Sequence, residues 1–405
     1  MITHTQPARQ TGGPPVDGFL DFEDMLAAAS VEEPADQTSG RFMLYTSGTT
    51  GHPKGVVGST AVFGQNPLDV QANLTAFLEL VGIGDPDGVS LVNAPLYHGG
   101  PLGLAYAPAS VGAKLVLRRK WDAEETLSLI DSEQITNLYT VPTHLSRLLA
   151  LPDSTKQAFD GSSLKVVYHT AAPCPPAVKQ KMIDWWGPVI NELHGASKGG
   201  FGMSTIVASQ EWLERPGTVG RPTAISEVFI TDEEGNPLPP GEVGVVYLRS
   251  LLGLDFEYHD DPDKTAAAHH ADGGYTAGDM GYLDHEGYLF LTDRKIDMIV
   301  SGGVNIYPAE IEACLVTHPA VADTAVIGVP NEEFGEEVKA LVQPAEGYEP
   351  DAQLVTELQR HCRGLLAGFM VPRTIEFMEL PRTPTGKLSK KALRAPYWEG
   401  TGRLI

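Results

Sequence analysis

Tyr45 to Val56 reads YTSGTTGHPKGV. Gly48 and Gly51 let backbone N–H groups approach an anion closely. Ser47, Thr49 and Thr50 add hydroxyls, and Lys54 adds a full positive charge. That combination suits the phosphates of a nucleoside triphosphate; a solvated Ser/Gly turn is the competing reading. The preceding RFMLY run (41–45) reads as a strand, so the loop is expected at a strand end, where open α/β sheets bind ligands. The spacing is not that of a P-loop, because no G-x-x-x-x-G-K-[ST] pattern occurs.

Working outward, 405 residues leave room for two or three domains, and 42% hydrophobic with 20% charged residues is an ordinary globular composition. A formal charge of −23 argues against nucleic acid and anionic lipid as partners, since both reward basic surfaces. A site for polyanionic ATP must therefore be locally positive, which draws attention to Lys54, Lys198, Arg294 and Lys387. No run is long and apolar enough to span a membrane, and no basic stretch followed by an apolar core opens the chain. Cys174, Cys314 and Cys362 lack metal-ligand spacing and read as reduced thiols of a cytoplasmic protein.

Residues 18–30 (GFLDFEDMLAAAS) form an amphipathic, helix-like stretch. From 41 to about 230 short apolar runs alternate with helical patterns: LVLRR (115–119), ITNLYTV (135–141), a helix from Thr143, and LKVVYHT (164–170). The expected fold class is α/β, with parallel sheet covered by helices. From 225 to 292 strands separated by Asp/Gly turns mark a β-rich lobe. After Asp293 a compact α+β unit begins, with a helix opening at Pro308 and a glycine loop near 383–388. The expected division is a large domain at 1–293, a small domain at 297–396, and a tail at 397–405.

Six further segments stand in order behind the first loop: NAPLYHGGPL (93–102), TAAPCPP (170–176), NELHGASKGG (191–200), GYTAGDMGYLD (274–284), DRKIDMIVSGGVNIYPAEIE (293–312) and PRTPTGKLSKKAL (381–393). Asp279 is a sound ribose reader, since one carboxylate accepts two hydroxyls. Ala171, Ala172 and Pro173 are small enough for a flat base to approach the backbone. Lys387 on a glycine loop could steady charge developing during attack on phosphorus.

Together with YTSGTTGHPKGV, these segments resemble the adenylate-forming acyl/aryl-CoA ligases over roughly residues 41–396. The resemblance implies that Thr46, Ser47, Gly48, Thr49, Thr50, Gly51, Lys54, Ala171, Ala172, Pro173, His194, Gly195, Ala196, Asp279 and Arg294 bind ATP. It implies that His98, Thr143, Ala171, Gly195 and Gly199 line the acid's pocket, and that Lys387, His98, Ser197 and Lys198 stand at the reaction centre. Ile296 falls at the hinge between domains, where the family usually has Asp or Lys. Gly302 and Gly303 would let the pantetheine arm of coenzyme A pass. Lys198 occupies the place of the family's Mg²⁺-associated Glu, a charge reversal that lets it meet phosphate directly as a point charge. The implied activity is ATP-dependent activation of a carboxylic acid as acyl-AMP, followed by transfer to coenzyme A. Transfer to a carrier-protein thiol or an amine, and a nucleotide-binding homologue without catalysis, remain open. Only 44 residues precede the phosphate loop, fewer than the family usually has, so a homodimer or another partner is expected to cover apolar helix faces.

Overall fold

The computed structural model describes residues 22–32, 37, 43–46, 54–58, 78, 81–195, 204–382 and 388–399, with backbone alone for Phe22, Glu23, Thr46, Lys54 and Arg294. Its largest element is an 11-stranded sheet. One half is parallel: β4 (Lys114–Leu117), β3 (Val89–Val92), β5 (Asn137–Thr140), β6 (Val166–His169) and β7 (Ile190–His194), side by side in that order. β5 and β6 are buried along their whole length, the pattern of strands covered on both faces.

Helices Gly99–Ser110, Ala123–Glu133, Pro142–Leu149 and Pro176–Trp186 make the crossovers. On one face Leu91, Leu138 and Val167 pack with Leu127, Ile130, Leu145, Leu148 and Met182. On the other, Tyr168 and Leu193 pack with Leu78, Ile83 and Ala107. Helix boundaries follow local chemistry. Asp122 accepts a hydrogen bond from Glu125 N, and Pro142 and Pro176 open their helices, where a missing N–H costs nothing.

After β7 the sheet becomes antiparallel through β8 (Thr205–Val207), β9 (Thr218–Pro222), β14 (Leu289–Arg294), β13 (Asp279–Leu283), β11 (Gly244–Ser250) and β10 (Ser226–Thr231). This is the expected β-rich lobe. Val56, Val219, Val228, Val246 and Leu289 share its core.

One expectation is corrected. The strand of the opening loop, β1 (Met43–Thr46), is not an edge of the parallel sheet. It pairs antiparallel with β2 (Lys54–Gly58), and β12 (Phe256–Tyr258) completes a separate 3-stranded sheet. The connection between β1 and β2 is too short for a parallel crossover, which needs a dozen or more residues.

Beyond Asp293 a 5-stranded sheet contains β15 (Ile299–Ser301), β16 (Val304–Ile306), β17 (Val321–Asn331), β18 (Gly335–Pro344) and β19 (Thr374–Phe377). Helices Pro308–Leu315 and Ala352–Leu365 bury Ile311, Leu315, Leu354 and Leu358 against one face. Helix Lys390–Trp398 covers the other through Leu393.

Candidate functional site

The candidate residues gather where the parallel strands end. His98 is the N-cap of the helix that follows β3, and Thr143 lies in the first turn of the helix that follows β5. Ala171 sits two residues past β6 with φ of 75°, and Ala172 and Pro173 beside it are exposed. A left-handed alanine costs of order 1 kcal/mol over glycine. Such strain at a strand end is what a surface kept open for a ligand tolerates.

His194 ends β7, with exposed Gly195 after it. Its Nε2 lies 3.2 Å from Asp279 Oδ2, with side chains only 11% and 16% exposed. Asp279 and Arg294 are register partners across β13 and β14. Three residues far apart in sequence thus converge: an imidazole, a carboxylate and an arginine backbone position. Thr46 and Lys54 are likewise register partners at the open end of the β1–β2 hairpin. Ser47, Gly48, Thr49, Thr50, Gly51, Ala196, Ser197, Lys198, Gly199 and Lys387 lie outside the described residues.

Sequence reasoning missed a buried ionic layer behind this edge. Lys179, fully buried, places Nζ 2.7 Å from Glu192 Oε2 and 4.9 Å from the centre of the Trp212 ring. His169, in register with Glu192, is also fully buried, with Nε2 3.4 Å from the same carboxylate oxygen. Burial pushes the Glu192 carboxyl up while the Lys179 ammonium draws it back. Burial and the same ammonium hold the His169 imidazole far below its usual range, so it is neutral. A signal existed: Lys179 falls on the stripe 179–182–183–186, whose other members are apolar.

At the start of the second unit, Asp293 Oδ2 accepts a hydrogen bond from Ala309 N in the first turn of helix Pro308–Leu315. Ile296 is 51% exposed, yet its carbonyl accepts a hydrogen bond of 2.9 Å from Arg394 Nη1. Arg394 also faces Asp297 at 3.5 Å, and Lys390 meets Glu312 at 2.9 Å. Gly302 and Gly303, with φ of 58° and 80°, form the turn between β15 and β16. A two-residue hairpin with both φ positive already favours Gly-Gly.

Residues 4–252 match the AMP-binding enzyme family, and residues 310–387 match the AMP-binding enzyme C-terminal domain. The chain belongs to the AMP-binding enzyme family. Among curated AMP-binding relatives, the medium/long-chain-fatty-acid–CoA ligase FadD8 of Mycobacterium tuberculosis is 33% identical over 386 residues, spanning 94% of this chain and 64% of the relative. The indoleacetate–CoA ligase of Aromatoleum aromaticum is also 33% identical, over 94% of this chain and 72% of its own length. Among solved AMP-binding structures, the anthranilate CoA ligase AuaEII in complex with anthranoyl-AMP superposes with a TM-score of 0.80 at 28% identity, covering 94% of this chain and 72% of that one. The mixed α/β architecture, its large sheet and its C-terminal unit agree with that family.

Proposed function

We propose that this chain activates a carboxylic acid with ATP as an acyl-adenylate and then transfers the acyl group to the thiol of coenzyme A. The contact between His194 and Asp279 carries the reading. It holds a hydroxyl-accepting carboxylate beside a flat ring at the C-terminal edge of a parallel sheet, where the sugar and base of a nucleotide fit together. Relatives that form CoA thioesters of fatty and ring-bearing acids support this acid class and acceptor.

In the first step a carboxylate oxygen attacks the α-phosphorus and pyrophosphate leaves. Lys387 steadies the charge that develops on both groups. In the second, the thiol sulfur attacks the acyl carbon, AMP leaves, and the thiol proton is released. The unit at 297–396 turns about Ile296 between the steps, presenting Lys387 first and the Gly302–Gly303 turn second. Mg²⁺ enters as the salt of ATP; among the described residues no group of three His, Cys, Asp or Glu side chains could hold a metal ion. Cys174, Cys314 and Cys362 are free thiols, which suits a reducing cytoplasm.

The test is pyrophosphate release from ATP with a panel of aryl, fatty and polycyclic acids, followed by product analysis with coenzyme A, a carrier protein and amines. Acid-dependent release with a CoA thioester as product is expected. Nucleotide binding without release for any acid would mark a non-catalytic homologue. Release with product only on a carrier protein or amine would move the acceptor.

A further inference from the structure

The helix Lys390–Trp398 turns one of its sides to the linker between the two units. Ser389 caps it, its Oγ accepting from Ala392 N at 3.3 Å, and Leu393 buries against Ala325, Ile327 and Leu341 of the small sheet. Lys390 and Arg394, one turn apart, share another side. Lys390 meets Glu312, and the carboxylates of Glu312, Asp293 and Asp297 hold its ammonium charged although burial opposes it. Arg394 contacts the linker itself: Nη1 donates to Ile296 O at 2.9 Å, and Nη2 lies 3.5 Å from Asp297 Oδ1. Its Nε is buried without a hydrogen-bond partner among the described residues. A buried N–H left unsatisfied is costly, so the guanidinium sits where it serves the linker and not where its own donors are best satisfied.

Covalent geometry decides what these contacts do when the units turn. Both soft torsions of Ile296, φ and ψ, precede its carbonyl oxygen along the chain, so rotation about either carries that oxygen and Asp297 with the small unit. Arg394 therefore holds two acceptors on its own side of the pivot, and its bonds survive the turn. Ile299, which follows, is fully buried in the small unit's core. On the other side, Lys295 N donates to Gly278 O at 2.9 Å, tying that residue to the large unit. The rotation that remains between these two anchors belongs to Lys295 and Ile296.

We infer that Arg394 is a positioning residue that sharpens the linker to a pivot at Lys295 and Ile296, so that the small unit swings as one body and delivers both Lys387 and the Gly302–Gly303 turn to the site. This rests on the two-step, acid-activating reading. The loop that carries Lys387 is closed at its base by the bridge between Arg382 and Leu388, and Arg382 is held by Asp323 at 2.6 and 2.7 Å. The base of the loop thus moves with the small sheet, and Arg394 refers that sheet to the pivot. Without the guanidinium the stretch from 295 to 298 becomes a loose strap, and both groups arrive out of place. Reacting groups misplaced by ~1 Å lose up to about 10² in rate.

The experiment compares the full-length wild type with Arg394→Ala and Arg394→Lys. The readouts are pyrophosphate release with ATP and an acid from the panel, thioester formation from the supplied acyl-AMP and coenzyme A, ATP affinity by calorimetry, the unfolding midpoint, and tryptic cleavage after Lys295. Arg394→Ala is expected to slow both half-reactions by roughly ten- to a hundredfold, unlike Lys387→Ala, which touches only the first. ATP affinity and the midpoint should stay near wild type. Cleavage after Lys295 should quicken at least about fivefold, the scale of one hydrogen bond lost from a local opening. Arg394→Lys keeps a donor for the carbonyl and should recover most of each loss. Half-reactions at wild-type rates, a loss confined to one of them, unchanged cleavage, or losses that track a fallen midpoint would each overturn the assignment. If the wild type releases no pyrophosphate with any acid, faster cleavage in Arg394→Ala that Arg394→Lys reverses would uphold the pivot while refuting acid activation.

Discussion

Lys179 Nζ and Glu192 Oε2 lie 2.7 Å apart with both side chains buried, and this pair ties helix Pro176–Trp186 to β7 two residues before His194. The position of His194, and through it the contact with Asp279, therefore depends on a buried charge pair. Lys179→Met leaves the Glu192 carboxylate buried without a counter-charge. We expect it to cost about 3–5 kcal/mol in chemical denaturation. Lys179→Met combined with Glu192→Leu is expected to recover most of that loss, because an apolar pair has no desolvation cost. A double variant as unstable as the single one would refute the pairing argument.

Asp279→Ala removes the proposed ribose acceptor. Calorimetric titration should show AMP and ATP binding weakened by about ten- to a hundredfold, the worth of one or two hydrogen bonds to a charged group. The unfolding midpoint should stay within a few degrees of wild type. Unchanged nucleotide affinity would detach Asp279 from the site.

Lys387→Ala should slow adenylation by roughly 10²–10³, the scale of losing one electrostatic donor in the transition state. ATP affinity should change far less. Pyrophosphate exchange at the wild-type rate would refute the role given to Lys387.

Two buried neutral imidazoles, His169 and His144, shape the pH dependence of stability; the His144 ring stacks on Trp121 at 4.2 Å. Burial, helped by the nearby Arg147 guanidinium, lowers its imidazole from 6.5 to about 3. The unfolded chain thus takes up a proton near pH 6.5 that the native one refuses until about pH 3. Stability from this group is full above pH 6.5 and is lost progressively as pH falls through that window. At pH 5 the loss is about 2 kcal/mol, at ~1.4 kcal/mol per unit. His144→Phe keeps the stack and should make the acid limb of unfolding free energy between pH 6.5 and 5 shallower by about one proton's worth, His169 supplying a remaining slope. A limb of unchanged slope would count against the buried neutral ring.

Much of the architecture was legible because it rests on short-range chemistry. The alternation of apolar runs with helical stretches from 115 to 186 gave the parallel half, and Asp-Gly turns gave the antiparallel lobe. Pro308 marked a helix start where one is found. The phosphate-loop strand was misplaced because an apolar pentapeptide does not say which sheet it joins; a short connection to a second apolar run would have pointed to a hairpin. Lys179 escaped because a lysine in a helix is ordinarily read as solvent-facing. The partner that makes its burial tolerable, Glu192, lies 13 positions away on another element.

The sequence by itself determined family, fold class and the chemical kind of each candidate residue, since these depend on side-chain types at fixed local spacings. Only the tertiary structure decided which of them meet. His194 reaches Asp279 across 85 positions, Arg394 clasps the carbonyl of Ile296 across 98, and Tyr168 donates to the carbonyl of Val81 across 87. Such relationships arise from sheet register and packing, and these are set by burying apolar surface across the whole domain.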